Sequence, residues 1–359
     1  MKGRQELIQH SIETILRNQE KNGAYAASPA FSQYGYSWMR DGSFIAYGML
    51  LRGEDASTQR FLRWAAEAIN NSGISLEGIT VARKEGRPPR QGECFPARYT
   101  LSGELPDDEW PAFQTDGYGG WLWVLVEWMK KVGADSIPSW ARTAVDTTVR
   151  YLERTWDLPT FDAWEENSSG IHPATLACLY GGLQAVASYG YETSDLTAAI
   201  RNLALSRLTE RGTLPKYIGS DEVDASLIWA TVPFGMVRPD DPVMLNTITA
   251  IESDLKVDGG LKRYESDTYY GGGRWLLLTA WYGWYYAIRG DRKTAEEAAR
   301  WVEAQTLPNG DMPEQNMDTA VDVEKVASWT EAWGPVATPL LWSHAMYLVL
   351  THALESMTD

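Results

Sequence analysis

Apolar and polar positions follow a helical period along most of the chain, and strand-type alternation is nearly absent. Twelve helical stretches are predicted, at about residues 3–20, 42–53, 56–72, 118–132, 138–155, 172–188, 193–209, 222–235, 243–255, 273–289, 293–305 and 338–354. Their character alternates. Odd members are amphipathic, as in Arg4 to Glu20 or Arg292 to Glu303, whereas even members such as WLWVLVEWM after Gly120 and WLLLTAWYGWYYAI after Arg274 are apolar almost all round. A helix apolar on every side must be buried on every side. Alternating exposed and buried helices predict an all-α fold, an (α/α)6 barrel with six inner helices ringed by six outer ones. The 359 residues then divide into hairpins of about 60 each, in a single domain over 1–359.

The connections alternate as well. Links from a buried helix to the next exposed one are short, such as 52–56 and 290–292, while the links 21–41, 73–117, 156–171, 210–221, 256–272 and 306–337 are long. In a ring of antiparallel hairpins all the long links emerge at one end, and long irregular loops are where function usually sits.

Five clusters in those loops carry candidate chemistry. YSWMRD places Trp38, Arg40 and Asp41 before the first buried helix, where an Arg-Asp pair serves either as an ordinary ion pair and cap or as a clamp on sugar hydroxyls. WPAFQTDG places Trp110, Gln114 and Asp116 before the second, with Asp116 also readable as an N-cap. FDAWEENSSG carries Trp164, Glu165 and Glu166. An aromatic wall and a second carboxylate would keep a proton on one glutamate, although adjacent glutamates on a surface are ordinarily just solvated. LKRYESDTYYGGGRW carries Arg263 and Tyr269. Its three glycines lack the Lys-Ser/Thr of a phosphate loop and are read as letting backbone pass close to a bound ring. Glu314 of PNGDMPEQ lies 149 residues after Glu165, half a barrel circuit away, so the two carboxylates are expected to face each other across the mouth. Opposed carboxylates about 6.5 to 9.5 Å apart give inversion of a glycoside, and about 5 to 5.5 Å retention.

Composition narrows the partners. A net charge of −16 argues against nucleic acid and anionic membrane, and a neutral or cationic ligand fits better. Two cysteines and four scattered histidines provide no disulfide framework and no metal-ligand spacing, so neither metal nor cofactor is expected. Seventeen tryptophans suit sugar stacking as well as helix cores. The N-terminal stretch is amphipathic rather than a signal peptide and no apolar run is long enough to span a membrane, which makes a cytoplasmic location the expectation; oligomeric state has no signature. His344 reads as a hydrogen-bonded core histidine, Asp224 as a cap, and Trp329 and Trp333 as either pocket lining or loop packing.

Together the five clusters resemble the glucoamylase and glucodextranase family, glycoside hydrolase family 15, over nearly the whole chain from Tyr36 to His344. In that family the WxRD motif binds the terminal glucose, which implies this role for Trp38, Arg40 and Asp41. The resemblance further implies substrate binding by Trp110, Gln114, Asp116, Trp164, Glu166, Arg263 and Tyr269, with Glu165 as general acid and Glu314 as general base. The activity implied is inverting, exo-acting hydrolysis that releases β-glucose from the non-reducing ends of short α-1,4- or α-1,6-linked gluco-oligosaccharides. A trehalase or an isomalto-oligosaccharide glucosidase of the same family is the alternative, and a non-catalytic carbohydrate-binding barrel the alternative of another class. Ala163 stands where many members carry Leu, and the absence of their β-sandwich or starch-binding domains favours short soluble substrates.

Overall fold

The computed structural model describes residues 3–357. In chain order the helices are α1 (Arg4–Arg17), α2 (Met39–Leu51), α3 (Asp55–Asn71), α4 (Leu76–Lys84), α5 (Asp116–Val132), α6 (Ser139–Thr155), α7 (Pro173–Ala187), α8 (Ser194–Leu205), α9 (Pro242–Leu255), α10 (Leu276–Ile288), α11 (Arg292–Ala304), α12 (Val323–Trp333) and α13 (Leu341–Ser356). An inner ring runs α2, α5, α7, a 3-10 segment at Ala225–Ala230, α10 and α13, each touching the next, and α13 closes on α2. Outside it, α1 packs on α13, α3 on α2, α6 on α3 and α5, α8 on α7, α9 on the 3-10 segment and α11 on α10. This is the (α/α)6 barrel that the alternating pattern predicts.

Burial explains the two helix types. Every residue of α10 from Leu276 to Tyr285 is buried, whereas α11 buries a single stripe of Ala295, Ala298, Ala299 and Val302. Inner neighbours α5 and α7 meet backbone to backbone: a Cβ on Gly182 would fall 2.2 Å from the Gly119 carbonyl oxygen. Below the loop end, Phe44, Trp229, Trp281 and Trp342 pack ring against ring and fill the barrel axis. Among the described residues no helix is long and apolar enough to cross a membrane.

Three features differ from the pattern-based expectation. The fourth inner element is not a helix over 222–235 but the 3-10 turn Ala225–Ala230, all of it buried. An apolar run reports burial, not helix type, and Pro233 supplies no N–H with which to continue one. Two helices, α4 and α12, form inside the second and sixth long loops. The glycines at 271–273 do not face a ligand: a Cβ on Gly271 would meet the Asp322 oxygen at 2.6 Å, and one on Gly273 the Gln315 Oε1 at 2.5 Å. Gly271 and Gly273 admit the chain's own sixth loop, which also bonds there through Val321 N to Gly271 O at 2.7 Å, and Gly272 makes room for the Asp267 carbonyl.

Short antiparallel pairs tie the loops together at the same end. Strand β1 (Ser37–Trp38) pairs with β2 (Arg98–Tyr99), setting Trp38 opposite Arg98. A second sheet has the order β3 (Lys256–Val257), β4 (Gly260–Leu261), β5 (Arg274–Trp275) and β6 (Gln315–Asn316), and it holds the residue after Glu314 against Trp275.

Candidate active site

The long loops enclose a cavity of about 370 Å³, toward the small end of the roughly 300–1,000 Å³ range for small-molecule sites. Loops one, two, three, five and six all contribute to it, and its floor is Trp342, at the top of the aromatic column that fills the barrel axis. Trp38, Arg40, Asp41, Trp110, Trp164, Glu165, Glu166, Arg263, Tyr269 and Glu314, all predicted site residues, line it. Trp329 and Trp333 line it too. Gln114 and Asp116 do not. They lie buried behind Arg40, accepting from its Nη1 at 2.8 and 3.2 Å. Their place is to aim the guanidinium, since a buried charge requires buried partners.

Glu165 occupies a tight turn organised by Asp162. The Asp162 carboxylate accepts from the backbone N–H of Trp164 and of Glu166, each at 2.9 Å, and from Asn167 Nδ2 at 3.1 Å. The turn drives Glu165 into the left-handed region at φ 68°, a strained conformation for a residue with a Cβ and one that clusters at functional sites. Its Oε1 accepts from Trp38 Nε1 at 2.6 Å and Gln114 Nε2 at 3.2 Å, with Arg40 Nη2 at 4.0 Å. Among the described residues nothing donates to the other oxygen.

The turn also separates the adjacent glutamates. Glu166 points away from Glu165, accepting from Arg263 Nη2 at 3.2 Å and from the Tyr264 hydroxyl. Trp164 likewise turns its Nε1 to Asp224 Oδ2 at 2.8 Å, and Asp224 caps the 3-10 turn through Ser226 N. Proximity in sequence therefore does not make Glu166 the neighbour of the Glu165 carboxyl; Arg40, Trp38 and Gln114 are. Arg263 is itself clamped by buried Asp267, Nε to Oδ2 at 2.8 Å, and its guanidinium carbon lies 5.1 to 5.4 Å from the rings of Trp164, Tyr264, Tyr269 and Trp275.

In the sixth long loop, Glu314 is 2% exposed and held by its backbone, N to Ala337 O at 2.9 Å. Its Oε1 accepts from the Tyr34 hydroxyl at 3.2 Å, while Oε2 has no hydrogen-bond partner among the described residues. Burial lifts its carboxyl to about 8, with the Arg263 charge and the Tyr34 hydroxyl opposing. Burial likewise lifts Asp41 to about 7, against the attraction of Arg40, whose Nε is 3.4 Å away. Burial also works against the Arg40 charge, but Asp116, Asp41 and Glu165 outweigh it and hold its proton above the ordinary range. His344 is the core histidine its position predicts. Its Nε2 accepts from Met312 N at 3.1 Å, and burial pushes its pKa down to about 3, so the neutral ring steadies the backbone leading to Glu314.

Sequence reasoning misses Tyr34, Asp162, Asp267 and Arg98. Asp162 and Asp267 carried local signals, the first an Asp positioned to bond backbone N–H groups two and four residues on and the second an Asp four residues after the arginine it holds. Tyr34 and Arg98 act on partners distant in the chain.

Comparison with known proteins agrees with this geometry. The family model for Glycosyl hydrolases family 15 matches residues 2–333. Isomaltose glucohydrolase of Kribbella flavida is 41% identical over 358 residues, spanning 97% of this chain and 92% of that protein. A wild-type glycosidase structure superposes with a TM-score of 0.92 at 40% identity, covering 99% of this chain and 98% of that one. A bacterial glucoamylase complexed with acarbose shares the fold, with a TM-score of 0.75 at 21% identity over 97% of this chain and 55% of that one. A family match over residues 2–333, joined to a relative similar along nearly its full length, leaves one conclusion: the chain is a glycoside hydrolase and belongs to glycosyl hydrolase family 15.

Proposed function

We propose that this protein is an exo-acting α-glucoside hydrolase whose preferred substrate is a short α-1,6-linked glucoside of the isomaltose type. The observation that carries this reading is that Glu165 and Glu314, from loops three and six, line one cavity whose far end is closed by Trp342 and the rings beneath it. A closed end admits a chain terminus and not its interior. The isomaltose linkage is supported by the 41% identical relative named for that substrate.

In the proposed reaction Glu165 protonates the glycosidic oxygen as the C–O bond breaks, and water attacks the anomeric carbon from the opposite face while Glu314 takes its proton. The products are β-glucose and the shortened sugar. Arg40, Asp41 and Arg263 hold the hydroxyls of the terminal glucose. Each positioned proton transfer contributes roughly 100- to 10,000-fold. Both glutamate roles rest on the family resemblance. Electrostatics alone pulls the other way at Glu314, because a base must be ionised and burial retains its proton up to about pH 8. Arg263 and Tyr34 are the groups that favour its anion.

Two measurements test this. NMR of turnover on isomaltose, maltose and trehalose should show isomaltose cleaved fastest, with the glucose from its non-reducing end released as the β anomer over the anomeric mixture that the reducing-end glucose brings; trehalose as the best substrate, or an early excess of α-glucose from isomaltose, overturns the corresponding part. Glu165→Gln should retain hydrolysis of α-glucosyl fluoride, whose leaving group needs no proton, while Glu314→Gln should lose both substrates. The reverse pattern exchanges the two roles.

A further inference from the structure

We infer that Arg98 is a positioning residue for the proton donor, acting through Trp38 and Trp110. The inference rests on the reading of Glu165 as general acid given above.

Arg98 is 1% exposed and does not line the cavity. Strand pairing sets it opposite Trp38, and its guanidinium carbon lies 3.8 Å from the Trp110 ring centroid, 3.9 Å from that of Tyr36 and 5.1 Å from that of Trp38. The outer edge of the guanidinium is tethered by an ion pair to Asp108 and by Nη1 donating to Gln33 O at 3.2 Å. A planar, weakly hydrated cation stacks against aromatic faces as an ammonium cannot. Trp110 in turn meets Trp38 edge to face, with centroids 6.0 Å apart. Both indoles line the cavity, and Trp38 donates to Glu165 Oε1 at 2.6 Å.

The chain of contact therefore runs from Asp108 through Arg98 to the indoles and ends on the carboxyl that delivers the proton. Without Arg98, Trp38 and Trp110 lose the surface that sets their planes. The Glu165 carboxyl then loses its aim, and an error of about 1 Å in such a group can cost roughly 100-fold in rate. The defect is selective. A sugar leaving group departs as an alkoxide unless protonated, so it depends on the aimed acid, whereas fluoride departs as a stable anion.

The test compares kcat/KM for isomaltose and for α-glucosyl fluoride in the wild type and in Arg98→Lys, Arg98→Met and Asp108→Asn, with melting temperatures alongside. The expected result is a loss of about 30- to 100-fold on isomaltose for both Arg98 variants, a smaller loss for Asp108→Asn, and fluoride hydrolysis within about threefold of wild type. Equal losses on the two substrates that follow the melting temperature assign Arg98 a merely structural role and overturn the inference; unchanged kinetics overturn it as well. If the Arg98 variants fail to fold, Asp108→Asn decides by the same comparison. A wild type inert toward both substrates overturns the functional reading itself.

Discussion

The Tyr34 hydroxyl lies 3.2 Å from Glu314 Oε1 and 2.8 Å from the Tyr269 hydroxyl. Since Tyr34 has one proton to give, it donates to the carboxylate and receives from Tyr269, making a two-tyrosine relay that ends on the carboxyl read as the base. A hydrogen bond to the charged form favours that form. Tyr34→Phe should therefore raise the Glu314 pKa further and lower kcat on isomaltose by about 10-fold, with KM changed far less. Steady-state kinetics across pH checks this, and a drop confined to KM would instead place Tyr34 in substrate binding.

Glu314 also makes a stability prediction. Its ordinary value of 4.5 rises to about 8 in the folded protein, so between those values the folded state binds more protons than the unfolded one. Stability contributed by that carboxyl therefore falls as pH rises through the window. Glu314→Gln removes the penalty. The variant should match wild type near pH 4 and exceed it by up to about 5 kcal/mol near pH 9, as measured by denaturant unfolding at both pH values. A variant less stable than wild type at the higher pH would falsify the sign.

Asp162 is the anchor of the strained turn that presents Glu165. Asp162→Ala strands two backbone N–H groups and Asn167, and should cost about 2 to 4 kcal/mol. Because the left-handed conformation of Glu165 depends on those bonds, kcat should also fall by roughly 100-fold well below the melting temperature. Full activity at low temperature would show that the turn holds without its anchor.

Close approach of α5 and α7 depends on the missing side chains at Gly119 and Gly182. Gly182→Ala should destabilise by at least about 1 to 3 kcal/mol through overpacking, read out by urea unfolding. A change within experimental error would mean that the helices separate at little cost.

The double ring was legible because burial on every side is written into runs such as 275–288, and the predicted cavity residues other than Gln114 and Asp116 were legible because they sit where such runs begin or in the long loops between them. What stayed hidden is what depends on contacts across the fold. Glu165 and Trp38 are 127 positions apart, and Arg98 stacks on Tyr36 from the far side of a two-residue strand pair too short to show alternation. The glycines at 271–273 announced a close approach correctly but not what approaches, because a loop of the same chain and a ligand make the same demand for room. The 3-10 turn at Ala225–Ala230 was hidden for a related reason, since a segment buried at every residue has no period to measure.

Helix α12 buries none of its residues and rests chiefly on the turn at Tyr269–Gly271, where Trp329 meets the rings of Tyr269 and Tyr270 at 5.0 and 5.8 Å. Glu165, Arg40 and Arg263 are instead fixed by networks rooted in the other loops and the barrel rim. The wall formed by Trp329 and Trp333 thus carries none of the buried networks that hold Glu165, Arg40 and Arg263. Segment 317–334 therefore reaches the proposed base only at second hand, through the Tyr269 ring that Trp329 packs against and whose hydroxyl bonds Tyr34.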